Sequence, residues 1–446
     1  MSNVPGLTTV VLLLAGCATN TVATADNQTR CQAIFDAGST GTRLWIYYQD
    51  GNDWTGVRKQ ETSALADQAA RKVDPEAAQA IVGQLEAFKE TMAKSGCGSI
   101  SSIKVLATAG MRLAEKNDST SSKFWQQLFD ALSDKNKNVT VTTQTITGYE
   151  EGIYAWLARR EERRKAGLAD NNFGVAEMGG VSTQVVFPCL NCADTKTIYA
   201  GTGNALKLFV HSFLRLGTTQ LPESLGFRPE FPPACKWGAG LQPPWEKEYC
   251  AKLIEPRLLV PQTVGRKTSY QIRDPSLGMS IPIPDTAHVK SWYFAGSFAF
   301  MDVGINGDVH SCCEHRREKF RGCFDEERSC FISIYRPLFL KSLGIEESDL
   351  ERLGEAEGNH KELGEALGRA LSMTAEQLKK LDTELGKLDK EDARVKQGND
   401  VSWTLGAAIC EAAKCLPKRA PDQCSWLTDS KCLAPPKEKK PTTTTD

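Results

Sequence analysis

The sequence lacks an excess of charge of either sign, because its 54 lysines and arginines nearly balance its 55 aspartates and glutamates over 446 residues. Proteins that bind nucleic acid, or that rest on a membrane through a polybasic patch, carry such an excess. After residue 16 the sequence also lacks a hydrophobic run long enough to span a bilayer. We therefore expect no nucleic-acid partner and a globular chain with length for two or three domains.

Two catalytic motifs are missing as well. No G-x-x-x-x-G-K-[ST] is present, which excludes a Walker phosphate loop. No H-E-x-x-H is present, and five histidines in the whole chain argue against a histidine-bound zinc hydrolase. Carboxylates, hydroxyls and waters would instead suit Mg²⁺ or Ca²⁺.

One pattern occurs twice: a short apolar strand, a turn rich in glycine and hydroxyl residues, and a second strand. The copies are DAGSTGTR (36–43) and EMGGVSTQ (177–184). Glycines let the backbone approach a ligand closely, and successive amides in such a turn form a concavity that binds anions. We expect the two loops to clamp a polyphosphate, which leaves a kinase, a heat-shock-type ATPase and a phosphohydrolase open.

The N-terminal segment predicts export. Residues 10–15 form a short apolar run typical of a signal peptide, which we assign to residues 1–25. The run ends in a sequence that resembles a bacterial lipobox at Cys17, so a lipid anchor there is one expectation. Cleavage after Ala25 would instead release a soluble protein. Either route predicts a secreted, periplasmic or cell-surface location.

Cysteines also favour an oxidising compartment, because fifteen are present and fourteen remain once Cys17 is set aside. The disulfide candidates are Cys31, Cys97, Cys189, Cys192, Cys235, Cys250, Cys312, Cys313, Cys323, Cys330, Cys410, Cys415, Cys424 and Cys432. No second C-x-x-C accompanies Cys189 and Cys192, so we expect a local disulfide there rather than half of a zinc site.

Periodicity along the first half alternates between strands and helices, which predicts α/β layers. We expect helices at 74–94, 124–132 and 148–164, and strands at 103–107 and 139–145.

The second half is less regular. We expect a loop-rich insertion held by cysteines over 222–284, a solvated helical cover over 351–396, and a disordered tail over 435–446.

Five motifs stand in the order found in one enzyme family. The chain resembles the ecto-nucleoside triphosphate diphosphohydrolases (apyrases) at DAGSTGTR (36–43), LATAGMRL (106–113), ITGYEEGIYAW (146–156), VAEMGGVSTQVVF (175–187) and QGNDVSWTLGAAI (397–409). A segment around His211 and Ser212 also resembles the family. The resemblance implies two actin-like (ribonuclease H-like) α/β lobes with the nucleotide between them. The first lobe would span 27–146 plus 401–434, and the second 147–400.

The same resemblance implies roles for several residues. Glu151 would activate the attacking water as a general base, with a helix-terminal glutamate as the alternative. Ser182 would lie beside that water, and Gln184 beside the waters of the metal. Asp36 and Glu177 would hold a hydrated Mg²⁺ or Ca²⁺. Family members commonly have aspartate at the position of Glu177. The longer side chain would have to sit differently, with an effect on metal preference or affinity.

The two turns would cradle phosphates. We assign to this role Gly38, Ser39, Thr40, Gly41, Thr42, Gly179, Gly180, Val181, Ser182 and Thr183, with Thr108 and Ala109 facing the same cleft. Arg43 would either bind a phosphate or form a surface ion pair, and Arg112 is expected to be structural.

Two aromatic positions complete the expected site. Phe300 would stack on the nucleobase, and stacking tolerates any base. Trp403 would either close over the metal or pack in the core.

We therefore predict an exported, monomeric apyrase that converts nucleoside triphosphates and diphosphates to monophosphates. Two alternatives remain open. One is a phosphohydrolase that prefers nucleoside diphosphates or polyphosphate, and the other is a catalytically weak nucleotide-binding surface protein.

Overall fold

The computed structural model describes residues 30–51, 53–67, 71–92, 97–168, 170–192, 195–199, 205–227, 231–235, 246–264, 267–298, 326–345, 395–397 and 402–416. The predicted signal segment, most of the predicted helical cover and the predicted tail lie outside these residues.

Runs of strands are interspersed with helices along the described chain. The strands are β1 (Arg30–Ala37), β2 (Thr42–Asp50), β3 (Asp53–Thr62), β4 (Ala66–Asp67), β5 (Lys72–Val73), β6 (Ser99–Ala107), β7 (Thr140–Thr145), β8 (Phe173–Met178), β9 (Ser182–Pro188), β10 (Thr195–Tyr199), β11 (Ala205–Leu214), β12 (Leu259–Val264), β13 (Lys267–Asp274), β14 (Met279–Pro282), β15 (Ser291–Gly296) and β16 (Val395–Gln397). The helices are α1 (Ala77–Thr91), α2 (Ala109–Asn117), α3 (Ser121–Lys135), α4 (Gly148–Lys165), α5 (Leu221–Ser224), α6 (Lys247–Leu258), α7 (Glu326–Lys341) and α8 (Trp403–Ala413).

Two sheets repeat one strand order. The first runs β3-β2-β1-β6-β7, with β1 antiparallel to β2 and parallel to β6. The second runs β11-β9-β8-β15-β16, with β10 added outside β11, and β8 is antiparallel to β9 and parallel to β15. The repeat confirms the predicted α/β class with two actin-like lobes. The predicted lobe boundaries stay a prediction.

The first sheet buries both faces. On one face Phe35 of β1 packs with Ile81 and Leu85 of α1 and with Leu128 of α3. Alternation along β1 turns Ile34 to the opposite face, where it joins the cluster around α4 and α8. The predicted helices and strands of the first half are confirmed to within a few residues at their ends.

Helices α4 and α8 approach each other closely. A Cβ at Gly406 would lie 1.8 Å from the carbonyl oxygen of Tyr154, so only glycine permits this contact. Trp403 is buried and stacks on Tyr154 with ring centroids 6.3 Å apart. The Tyr47 hydroxyl of β2 lies 2.8 Å from Thr404 Oγ1, which joins α8 to the first sheet.

The Gly406→Ala substitution is expected to lower the free energy of unfolding by about 3 kcal/mol or more, because the new methyl group must push two helix backbones apart. Gly83→Ala is a matched control, since a Cβ at that position in α1 meets no atom within 4 Å. It should raise the free energy of unfolding by about 0.5–1 kcal/mol. Urea unfolding of both variants measures the difference, and equal effects would contradict the described packing.

The interpretation of 222–284 as loop-rich is wrong. This stretch holds α6 and a three-stranded antiparallel sheet of β12, β13 and β14. The expected cysteine bridge within it is present between Cys235 and Cys250. Strands with partly exposed faces, such as β12 and β13, show little hydrophobic contrast, which hid them in the sequence.

The described cysteines form disulfides, as the even cysteine count predicts. The bridges with both ends described are Cys31–Cys97, Cys189–Cys192, Cys235–Cys250 and Cys410–Cys415. Cys330 is disulfide-bonded as well. The predicted local bridge within the C-x-x-C segment is therefore confirmed. Among the described helices, none has the length and apolar content needed to cross a membrane.

Candidate active site

The two repeated segments form matching hairpins. In the first, Asp36 lies opposite Arg43, and the turn occupies 38–41 between β1 and β2. In the second, Glu177 lies opposite Gln184, and the turn occupies 179–181 before β9 begins at Ser182. Each acidic residue thus occupies the same place, one residue before the last paired position of its strand. The predicted strand, turn, strand pattern is confirmed in both copies.

Helix α2 lies between the hairpins. Thr108, which precedes α2, donates its backbone N–H to Ala37 O at 3.2 Å, and a Cβ at Gly110 would lie 3.2 Å from Ser39 Cα. From the same helix Ala109 joins a small buried cluster with Val181 of the second hairpin. One helix therefore contacts both turns. This is in line with the expectation that Thr108 and Ala109 face the same cleft.

Two adjacent glutamates at the start of α4 have different environments. Glu150 closes a capping box: its N–H donates to Thr147 Oγ1 at 3.1 Å, and its Oε2 accepts from the Thr147 N–H at 2.8 Å. Glu151 is not needed for the cap and points into a buried polar cluster. The capping role at this helix terminus belongs to Glu150, and Glu151 also lies in the first turn of α4.

The Glu151 carboxylate is held by two donors. Arg112 Nη2 donates to Glu151 Oε2 at 2.5 Å, and Gln184 Nε2 donates to the same oxygen at 3.0 Å. Both donors also reach Ser182 Oγ, at 3.2 Å from Arg112 and 2.7 Å from Gln184. The three residues assigned to catalysis, Glu151, Ser182 and Gln184, therefore lie together in one cluster.

Two members of this cluster do not follow from the sequence motifs. Arg112 is expected there to be structural, and no role is assigned to Ser212, whose Oγ lies 3.1 Å from Gln184 Nε2. A Cβ at Gly148 would lie 2.3 Å from Arg112 Nη1 and 2.1 Å from Ser212 Oγ, so the glycine leaves room for both. Arg112 lies one helical turn after Ala109, and that spacing is the signal that could have found it.

Three carboxylates crowd the cleft. Burial raises the pKa of Glu177 well above its ordinary value, and the negative charges of Glu151 and Asp36 raise it further. Burial also raises the pKa of Glu151, and the Arg112 guanidinium opposes that shift. Among the described residues, Glu177 Oε2 is buried without a hydrogen-bond partner. Such a group needs either a proton or a cation.

These side chains fit a hydrated divalent cation. Within the described residues no three His, Cys, Asp or Glu side chains converge closely enough to bind an ion directly. The unpartnered Glu177 Oε2 and the buried, unpartnered Gln184 Oε1 can accept hydrogen bonds from metal-bound waters. Oxygen ligands and retained waters are what Mg²⁺ prefers, and Ca²⁺ also binds oxygen.

The sequence of the first half matches a known family. Residues 22–222 match the model of the GDA1/CD39 (nucleoside phosphatase) family. This part of the chain is therefore similar to that family.

Curated relatives of the GDA1/CD39 region have low identity. "Probable apyrase 1" of Oryza sativa subsp. japonica is 28% identical over 215 residues, which cover 43% of this chain and 43% of the relative. "Ectonucleoside triphosphate diphosphohydrolase 8" of Gallus gallus is 28% identical over 230 residues, covering 44% of each. The chain thus matches less than half the length of these relatives.

A solved structure also resembles the chain. The Ppx/GppA family member of Aquifex aeolicus aligns with a TM-score of 0.45 and 14% identity, covering 86% of this chain and 98% of the other. We assign the two lobes from the strand order that the two large sheets share.

Several residues assigned to the phosphate cradles through the GDA1/CD39 resemblance have other contacts. Thr183 Oγ1 donates to Leu216 O at 2.8 Å, so its hydroxyl is directed to the backbone. Val181 packs in the apolar cluster with Ala109, and a ligand could meet only its backbone. In the first turn Thr42 is buried and Thr40 is exposed. The cradle would therefore consist mainly of backbone amides.

Arg43 forms the surface ion pair that is one of its two expected roles. Its Nη2 lies 2.5 Å from Glu61 Oε1, and its Nη1 lies 3.9 Å from Asp36 Oδ2. To bind a phosphate it would have to leave Glu61. Trp403 packs in the core against Tyr154, in line with the core-packing alternative. Phe300 lies outside the described residues.

The crowded carboxylates predict an inverse pH dependence of stability without metal. Because the pKa of Glu177 is raised in the folded protein, the native state holds a proton that the unfolded chain has lost above the ordinary glutamate pKa of about 4.3. Stability in chelator should therefore fall as the pH rises above that value, and Mg²⁺ or Ca²⁺ should restore it. Thermal unfolding at increasing pH above that value measures the slope, and a metal-free stability that rises with pH would contradict the account.

Proposed function

We propose that the chain is an apyrase that hydrolyses nucleoside triphosphates and diphosphates stepwise to monophosphates and phosphate. The observation that carries this proposal is the buried Glu151 carboxylate, held by Arg112 and Gln184 beside two matching glycine hairpins. A carboxylate that can take a proton from water next to two anion-binding turns is what direct hydrolysis of a phosphoanhydride needs.

Glu151 is the general base in this proposal. Within the described chain, the donors that reach the Glu151 carboxylate bind Oε2, which leaves Oε1 to take a proton from water. The water oxygen then bonds to the terminal phosphorus as the bond to the bridging oxygen breaks. Phosphate and the shortened nucleotide leave.

Ser182 directs the water. A hydroxyl has two acceptor positions and one donor. Arg112 and Gln184 both donate to Ser182 Oγ, so its own O–H can donate to the water or to a phosphate oxygen. Amides of the two turns, at 38–41 and 180–181, would meet the charge that develops on the phosphate oxygens.

Asp36 and Glu177 would hold a hydrated Mg²⁺ or Ca²⁺, with Gln184 Oε1 accepting from its waters. Bound there, the cation would neutralise charge on the phosphates. Without a cation the protonated form of Glu177 is favoured, because burial raises its pKa.

Export is part of the proposal. The bridges within the described chain suit an oxidising compartment, and the apolar run at residues 10–15 suits a signal peptide. We propose a secreted, periplasmic or cell-surface monomer whose partners are nucleoside triphosphates and diphosphates, with lipidation at Cys17 as one form of attachment.

Phosphate release from a substrate panel tests the function. With Mg²⁺ or Ca²⁺ we expect release from ATP, ADP, UTP and UDP, none from AMP, and loss of activity in chelator. Release from polyphosphate or diphosphates alone would favour the narrower phosphohydrolase. Binding of ATP without turnover would favour the surface binding protein and contradict the proposal.

A further inference from the structure

Arg112 is a buried cation that joins both lobes. Its side chain is 0% exposed. It belongs to α2, which follows β6 of the first sheet, yet its guanidinium donates to Glu151 on α4 and to Ser182 on β9. Through Nη1 it also donates to Ser212 on β11 at 3.4 Å.

The geometry fixes the direction of the carboxylate. Guanidinium is a rigid planar fork, so its two terminal nitrogens hold their acceptors in one plane. Nη2 binds Oε2 of Glu151, and Nη1 is anchored on Ser212. This arrangement holds one carboxylate oxygen on the guanidinium and leaves the other oxygen, Oε1, to face the attacking water.

We propose that Arg112 is a positioning residue for the general base. It holds Glu151 with Oε1 turned to the attacking water, and it does so from the opposite lobe. The base is therefore aligned only when α2 of the first lobe is seated against β9 and β11 of the second. This inference rests on the proposed function, because it takes Glu151 to be the base.

A direct contact between Arg112 and the phosphates is the competing role. The two roles differ in kinetics. A residue that holds the base lowers kcat when it is removed, whereas a residue that binds substrate equally in the ground state and the transition state raises KM.

The test combines substitution with chemical rescue. Arg112→Ala is expected to lower kcat for ATP about 100-fold while KM changes less than about threefold, because a misplaced base costs that much. Added guanidinium should raise the kcat of Arg112→Ala at least about tenfold, because it can fill the space of the missing side chain. It should restore nothing in Glu151→Gln. Arg112→Lys keeps the charge without the fork, and its kcat should lie between those of the wild type and the alanine variant.

Arg163→Ala is the matched control. Arg163 is a buried arginine on α4 whose guanidinium donates to Asp170 and Tyr293 rather than to Glu151. The Arg163→Ala variant should lose stability as the Arg112→Ala variant does, but its kcat should equal that of the wild type. Equal kcat losses in the two alanine variants, a raised KM with unchanged kcat in Arg112→Ala, or a wild-type rate in Arg112→Lys would each overturn the inference.

Failure of the proposed function would appear separately, as absence of phosphate release by the wild type. In that case a double-mutant cycle between Arg112→Ala and Glu151→Ala, measured by urea unfolding, still gives the coupling free energy between the two side chains. We expect the double variant to lose less stability than the sum of the losses in the two single variants. Additive losses would show that Arg112 does not hold Glu151, and would overturn it.

Discussion

Glu151→Gln is expected to lower kcat for ATP and ADP by about 10³-fold, because a glutamine cannot take the proton of the attacking water. The substitution keeps the shape of the side chain and an oxygen that can accept from Arg112. Binding of the nucleotide should therefore change little, and the loss should appear in kcat rather than in KM. Steady-state phosphate release with a saturating divalent cation measures both.

Glu150→Gln is the control for this prediction, because it changes the neighbouring residue in the same way. Glu150 accepts the Thr147 N–H in the capping box, so its loss should cost about 0.5–1 kcal/mol of stability and leave kcat within about threefold of the wild type. If the two variants lost activity equally, or if Glu151→Gln kept its activity, the assignment of the base would be wrong.

Glu177→Gln is expected to weaken the affinity for Mg²⁺ or Ca²⁺ by about 10- to 100-fold, comparable to the loss of other groups that orient metal ligands. Glutamine removes the negative charge that a cation would neutralise. It should also remove part of the fall in metal-free stability with rising pH, because the buried group no longer has a proton to lose. Titration of activity with metal and thermal unfolding in chelator measure the two effects.

Glu162→Gln is the matched control, since burial also raises the pKa of Glu162 and its partner is Arg159 on the same helix. It should leave the metal affinity unchanged. Glu177→Asp should retain metal-dependent activity with an altered preference between Mg²⁺ and Ca²⁺. Unchanged metal affinity in Glu177→Gln would contradict the proposed metal site.

The parts of the fold that follow from local pattern could be predicted. Both hairpins are set by glycine turns between short apolar strands, and α1 is set by apolar residues at helical spacing. Thr147 and Glu150 also form a capping-box signature that is visible in the sequence. That signature is sufficient to assign the cap to Glu150.

The parts that depend on tertiary contacts could not be predicted. From the sequence Arg112 is expected to be structural and lies one helical turn after Ala109, but only the packing of α2 against β9 and β11 identifies Glu151 as its partner. The same holds for Ser212, which lies opposite Gln184 in the register of β11 and β9. The sheet formed by β12, β13 and β14 was missed because its strands have weak hydrophobic alternation.

Hydrolysis of ATP in ¹⁸O-labelled water tests the central claim most directly. If Glu151 activates water for attack at the terminal phosphorus, the label should appear in each released phosphate, and the AMP that accumulates through ADP should carry none. Label in AMP would place the attack at another phosphorus atom. Absence of phosphate release from both ATP and ADP in the presence of Mg²⁺ or Ca²⁺ would contradict the account altogether.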